Sequence, residues 1–129
     1  MKLSTKSRYA ARCLIHLAMY GKEQPLSIAE IGKREQISER YLELIFATLK
    51  KAGFIHSSRG SQGGYTLAKP IDTISFYDII SIMETNTSIV NSQNDQDPMK
   101  RMLLQEVWNP IDHQLKEYLS KLTIAELSL

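Results

Sequence analysis

Cysteine is nearly absent from this chain. One residue, Cys13, serves all 129 positions, so no internal disulfide forms and no metal site built only from thiolates fits within one chain. Long apolar runs are missing as well: none approaches the roughly 18 residues expected of a membrane-spanning helix. There is no G-x-x-x-x-G-K-[ST] phosphate loop, no Ser/His/Asp set and no recognisable pair of catalytic carboxylates, which argues against an enzyme. His16, His56 and His113 fall on three separate elements without ligand spacing, which argues against a metal. The start, MKLSTKSRYAARCLIHLAMYG, has the basic front and apolar middle of a signal peptide, but Arg8, Arg12 and His16 interrupt it. We read it as a first helix and expect a cytoplasmic protein with no cofactor.

What is present is ordinary in amount and uneven in placement. With 43% hydrophobic and 23% charged residues the chain can build one modest core. Its net charge of +2 conceals a division. Residues 1–70 carry twelve Lys/Arg against five Asp/Glu, a surplus of +7, whereas residues 71–129 carry four against nine, a surplus of −5. The first part suits a polyanion and the second repels one.

Hydrophobic spacing predicts a first helix from about Ser4 to Tyr20, with Tyr9, Cys13 and Leu17 on its inner face and Gly21 as its stop. Ser27 and Glu30 are spaced as a capping box for a short second helix. Ser38 caps a third, whose Leu42, Ile45, Phe46 and Leu49 form an inward stripe, with Gly53 as its terminator. Phe54–Ser58 and Tyr65–Ala68 read as two strands of a hairpin. A helix-turn-helix followed directly by a hairpin is a winged helix, so the fold class expected is mainly α with a small β-hairpin. Ser75 caps a fourth helix. The stretch 85–99 is polar and lacks a period. Asp97-Pro98 then opens a last helix, and Leu104, Val107, Trp108, Ile111, Leu115, Tyr118 and Leu119 continue along it as an apolar stripe. Pro110 interrupts that stripe, as a kink or as the start of a new helix. Thr123 and Glu126 offer a final capped turn. The expected organisation is a winged helix over 1–84, a polar loop over 85–99 and a helical arm over 100–129.

The hairpin tip RGSQGGY holds one arginine, three glycines and no acid. A slim backbone with a single cation can enter a minor groove about 6 Å wide and strongly negative over A·T-rich sequence. Gly60, Gly63 and Gly64 keep the tip narrow and allow a tight turn, and Arg59 supplies the charge. On the third helix, Ser38, Glu39, Arg40, Tyr41 and Glu43 lie off the apolar stripe near the N-terminus, where recognition helices meet base edges. Arg40 can fork onto guanine O6 and N7, and Glu43 can accept from cytosine N4. Ser38, Tyr41 and the helix-start amides suit phosphate oxygens, with Thr5, Lys6, Arg8 and Lys50 as backbone anchors. The competing reading is a winged helix that binds protein and not DNA.

MKLSTKSRYAARCLIHLA, ISERYLELIFATLKKAGFI, RGSQGGYTLAKP and VWNPIDHQLKEYLSKLTIAEL together resemble the Rrf-two family of bacterial winged-helix regulators, over nearly the whole chain. The resemblance implies a transcriptional regulator, a repressor, binding double-stranded DNA at a palindromic operator as a homodimer. It implies dimerisation through the last helix, hence through Leu104, Val107, Trp108, Ile111, Leu115, Tyr118 and Leu119. It also implies DNA contacts at Ser38, Arg40, Tyr41, Glu43 and Arg59. The chain departs from the cluster-bearing members, which carry three cysteines after the fourth helix. Here that loop has none, Gln105 stands near a position where some relatives have a ligating histidine, and position 8, acidic in some, is Arg8. Cluster-free members suggest a small-molecule or protein effector at 85–99 instead.

Overall fold

Serine hydroxyls start the first four helices. In the computed structural model, which describes residues 2–59, 63–89 and 96–127, Ser4 Oγ accepts from Ser7 N–H at 3.2 Å and opens α1, Thr5–Tyr20. Ser27 opens α2, Ile28–Glu35, and Ser38 opens α3, Glu39–Lys51. The capping box expected at Ser27 is only half made: Ser27 Oγ accepts from Glu30 N–H at 3.1 Å, with no return bond from the Glu30 side chain. Both halves form at α4, Phe76–Met83, where Ser75 and Asp78 exchange bonds of 3.0 and 3.2 Å.

The strands β1, Ile55–Ser58, and β2, Gly64–Leu67, pair antiparallel from Ile55↔Leu67 to Ser58↔Gly64. Leu26 adds a single separate rung to β2, exchanging backbone bonds of 3.0 and 2.7 Å with Tyr65. This rung fixes the role of Gly64. A Cβ there would lie 2.5 Å from the Leu26 carbonyl oxygen, so the missing side chain serves this close approach within the sheet, where the sequence suggested a slimmer tip.

One core joins these elements: Ala10, Cys13, Leu14 and Leu17 of α1, Ile31 of α2, the predicted stripe of α3, and Ile79 and Met83 of α4. Ile124, fully buried, belongs to it too. The chain returns there after the last helix, with Phe76 N–H on the Leu122 carbonyl at 2.8 Å and Ile124 N–H on that of Ile74 at 3.0 Å. Thr123 makes no side-chain cap for the final turn, Ile124–Glu126.

The last helix neither splits nor breaks at Pro110. Its parts α5, Pro98–Leu103, and α6, Asn109–Lys121, are joined by a wide π turn, Leu104–Trp108, with helical backbone throughout. Asn109 N–H reaches back five residues to the Leu104 carbonyl. Pro110 has no N–H to give, and its ring would crowd the carbonyl four residues back in a regular helix; one widened turn just before it accommodates both defects.

Candidate nucleic-acid interface

The joint between α2 and α3 sets the recognition helix in place. Gln36 takes the left-handed conformation (φ 56°, ψ 43°), and its N–H and that of Ile37 both return to the Gly32 carbonyl. A Cβ on Gly32 would stand 2.8 Å from the Ile37 carbonyl oxygen, so this turn closes only over a glycine. Ile37 then plugs into the core and Ser38 caps α3 by accepting from Tyr41 N–H at 3.2 Å.

With Leu42, Ile45, Phe46 and Leu49 all fully buried, the rotational phase of α3 is fixed. Glu39, Arg40, Glu43 and Lys50 are thereby exposed, and Arg40 and Glu43 make no ion pair or side-chain hydrogen bond among the described residues. Tyr41 is half-buried, edge-on to Tyr9 with ring centres 5.6 Å apart. Leu44 shares the outward face at 61% exposure. The sequence reading gave it no role, because an apolar residue one step off a buried stripe looks like the ragged edge of the core.

Phe46 also holds the wing. Its ring meets that of Tyr65 edge-on at 4.7 Å, seating the hairpin against α3 from inside. Arg59 follows β1 directly, exposed and unpaired among the described residues, and Gly63 precedes β2, half-buried. Gly60 lies outside the described residues.

The first turn of α1 comes close to the start of α3. Thr5 and Tyr9 line a cleft of about 360 Å³ together with Gln36, Ile37, Ser38 and Tyr41. Arg8 is exposed, its guanidinium donating to Thr5 Oγ1 at 3.3 Å, and Lys6 is half-exposed nearby. The Glu84 carboxylate, at the end of α4, pins this turn from behind. It accepts from Ser4 N–H at 2.8 Å, Ser4 Oγ at 2.7 Å and the Ser7 hydroxyl. The Ser7 and Ser4 bonds hold its carboxyl below the usual range. Nothing local in the sequence signals this latch.

A second latch ties α1 to α2. Arg12 Nε donates to Glu35 Oε2 at 2.6 Å, and His16 Nδ1 lies 3.1 Å from Glu35 Oε1. A carboxylate only accepts, so Nδ1 carries the proton. Burial opposes ionisation of Glu35, but the Arg12 and His16 bonds outweigh it and its carboxyl sits below the ordinary value. His16 is buried and its Nε2 has no partner among the described residues.

On the last helix, Leu104, Val107, Leu115 and Leu119 are half-buried and none of its residues is fully buried. Trp108, Ile111 and Tyr118 stand 37%, 46% and 64% exposed. The Ile89 N–H of the polar stretch donates to Asp112 Oδ1 at 2.9 Å, and residues 90–95 of that stretch lie outside the described residues.

Comparison with known proteins agrees with this geometry. A family model described as "Rrf2: Iron-dependent Transcriptional regulator" matches residues 3–128. The chain is 37% identical to Protein rrf2 of Nitratidesulfovibrio vulgaris, over 98% of this chain and 87% of that one. It is 38% identical to the HTH-type transcriptional regulator CymR of Bacillus subtilis, over 99% and 90%. The solved structure of that CymR superposes with a TM-score of 0.85 over 99% of this chain and 96% of its own. T. potens IscR superposes with 0.77 at 34% identity, over 98% and 85%.

The iron in the family's description finds no matching donor set within one chain. Iron–sulfur clusters are held by thiolates, sometimes with imidazoles. Cys13 is fully buried, and burial, with Glu35 nearby, pushes its thiol up to about 12. Among the described residues no three His, Cys, Asp or Glu side chains group as metal ligands, and the remaining positions contain neither cysteine nor histidine. Nor is any helix of the described residues long and apolar enough to cross a membrane. The relatives are regulators and not enzymes, and they set aside the protein-only winged helix. With the family model matching residues 3–128 and these relatives covered over nearly their whole length, this chain belongs to the Rrf2 family of DNA-binding transcriptional regulators.

Proposed function

We propose that the protein is a homodimeric repressor that reads a palindromic operator near promoters with two copies of α3 and two of the wing. The carrying observation is that Arg40 and Glu43, on a helix whose opposite face is locked in the core, and Arg59, just past β1, are exposed and unpaired among the described residues. Arg40 and Glu43 take guanine and cytosine edges in the major groove, and Arg59, which opens the tip sequence containing Gly60 and Gly63, enters the neighbouring minor groove. Thr5, Lys6, Arg8, Ser38, Tyr41 and Lys50 border this face and supply phosphate contacts and register, while Glu39, an anion beside Arg40, faces the groove and not the phosphates. The cleft between Thr5 and Ser38 is a seat for one such phosphate.

Residues 1–84 form the DNA-binding unit and 100–129 the dimerisation arm, whose end is keyed into the core by Ile124. The exposure of Trp108, Ile111 and Tyr118 along one helix favours a second copy as their cover, since a soluble monomer gains nothing from such a strip. The stretch 85–99, anchored to that arm by Asp112, is our seat for a small-molecule or protein effector. Selection of bound duplexes from a random pool, followed by guanine N7 methylation interference, tests the reading. The expected pattern is interference in two major grooves about 34 Å apart on one face of a palindrome. Interference confined to one groove, with a monomer in sedimentation, refutes it.

A further inference from the structure

We propose that Leu44 reads a thymine of the operator by closing on its C5-methyl group; this rests on the placement of α3 in the major groove. Leu44 is 61% exposed and follows Arg40 by one turn, with Ala47 three residues on, opposite the buried Leu42, Ile45, Phe46 and Leu49. It contributes nothing to the core of the protein. Single exposed leucines are common and need no explanation; this one is set apart by its neighbours. Arg40 offers donors, Glu43 an acceptor and Leu44 with Ala47 an apolar patch, side by side on one face. Major-groove edges differ in these three features, and the thymine methyl is the apolar one.

The next turn does not compete. Thr48 Oγ1 is committed to the Leu44 carbonyl at 3.2 Å, so its hydroxyl is turned back on the helix. Charge decides between DNA and a second protein copy as the occupant. Lys50 and Lys51 end the helix, and residues 1–70 carry a surplus of +7, which a second copy of this face would meet with like charge and a duplex with opposite charge.

The test uses the duplex that the full-length protein itself selects from a random pool. Each thymine of one half-site is replaced in turn by deoxyuridine, which removes only the methyl. Wild type should bind about fourfold more weakly at one such position, the worth of burying one methyl-sized group. Leu44→Ala should be indifferent to the same replacement, and Leu44→Met should keep part of the sensitivity. Because Leu44 is exposed, both variants should fold. The proposal is overturned if wild type ignores deoxyuridine everywhere, if Leu44→Ala keeps the full sensitivity, or if the selected half-site lacks thymine. It is equally overturned if Leu44→Ala changes only the oligomeric state. Replacing half-site guanines by 7-deazaguanine separates the two levels of failure. Weakened binding with that base alongside indifference to deoxyuridine sinks Leu44 alone, whereas indifference to both sinks the placement of α3.

Discussion

Arg59→Ala is the substitution from which most can be learned. Arg59 is exposed and engages no partner among the described residues, so its removal takes no contact from the folded protein, and the melting temperature should not move. Any loss of affinity therefore belongs to the complex. A dimer presents two fingers; at about 1 kcal/mol each, the low end for a specific DNA contact, their loss weakens binding about thirtyfold at low salt. Each finger also displaces roughly one condensed counterion, so the slope of log K against log salt should shrink by about 1.8 for the dimer. Between 50 and 200 mM salt that slope change is worth roughly twelvefold, so the thirtyfold defect should contract to about two- or threefold. Arg59→Lys keeps the charge and should restore the slope, but its compact ammonium should recover less of the preference for A·T-rich flanks. Gel-shift titrations of the three proteins across that salt range read both quantities. A mutant whose curve runs parallel to wild type, whatever its offset, would refute the minor-groove finger.

Three other perturbations probe the scaffold. Glu84→Ala leaves the buried Ser7 hydroxyl without its acceptor and should cost roughly 2 kcal/mol. The folded carboxyl is held below its ordinary value, so its contribution is complete above the unfolded value of about 4.3 and vanishes as pH falls through the folded one. The gap in melting temperature between wild type and mutant should thus be constant from neutral pH down to the mildly acidic range and close below it; a gap unaltered by acid contradicts the latch. Gly32→Ala drives a Cβ to 2.8 Å from the Ile37 carbonyl, a backbone atom that cannot swing aside, and should destabilise by about 1–3 kcal/mol in denaturant titration. Normal stability would mean that the turn is looser than its geometry. Cys13 should resist iodoacetamide at pH 8 in the folded protein and react readily once unfolded, since its thiol is buried and raised to about 12. Rapid labelling of native protein would contradict that burial.

What the sequence disclosed depended on range. Signals written within a few residues were legible: Ser38, Ser75 and the Asp97-Pro98 start stand where expected, and the hairpin strands expected at Phe54–Ser58 and Tyr65–Ala68 form at Ile55–Ser58 and Gly64–Leu67. Each reflects a backbone bond to a near neighbour. The Leu26–Tyr65 rung and the hold of Glu84 on Ser4, 80 residues away, leave no such trace, because packing between distant elements imposes no period on either. Pro110 announced a defect but not its remedy. A kink, a break and a widened turn all answer a missing N–H, and the surroundings of the helix choose among them.

The exposed face of α3 lies between these extremes. Arg40 and Glu43 were singled out because the chemistry of base edges calls for such side chains near a capped helix start, and the structure leaves both exposed. Their outward aim could be inferred only because the opposite side is so heavily apolar. Rotating α3 enough to bury Arg40 would expose Phe46, a ring that is fully buried and also holds Tyr65 of the wing. Phe46 therefore takes part both in fixing the phase of the helix and in seating the hairpin. A substitution such as Phe46→Leu should loosen both at once, lowering affinity for the operator more than either Arg40→Ala or Arg59→Ala does alone. An effect confined to thermal stability, with affinity intact at temperatures where the variant is folded, would show that the core fixes the helix without help from this contact.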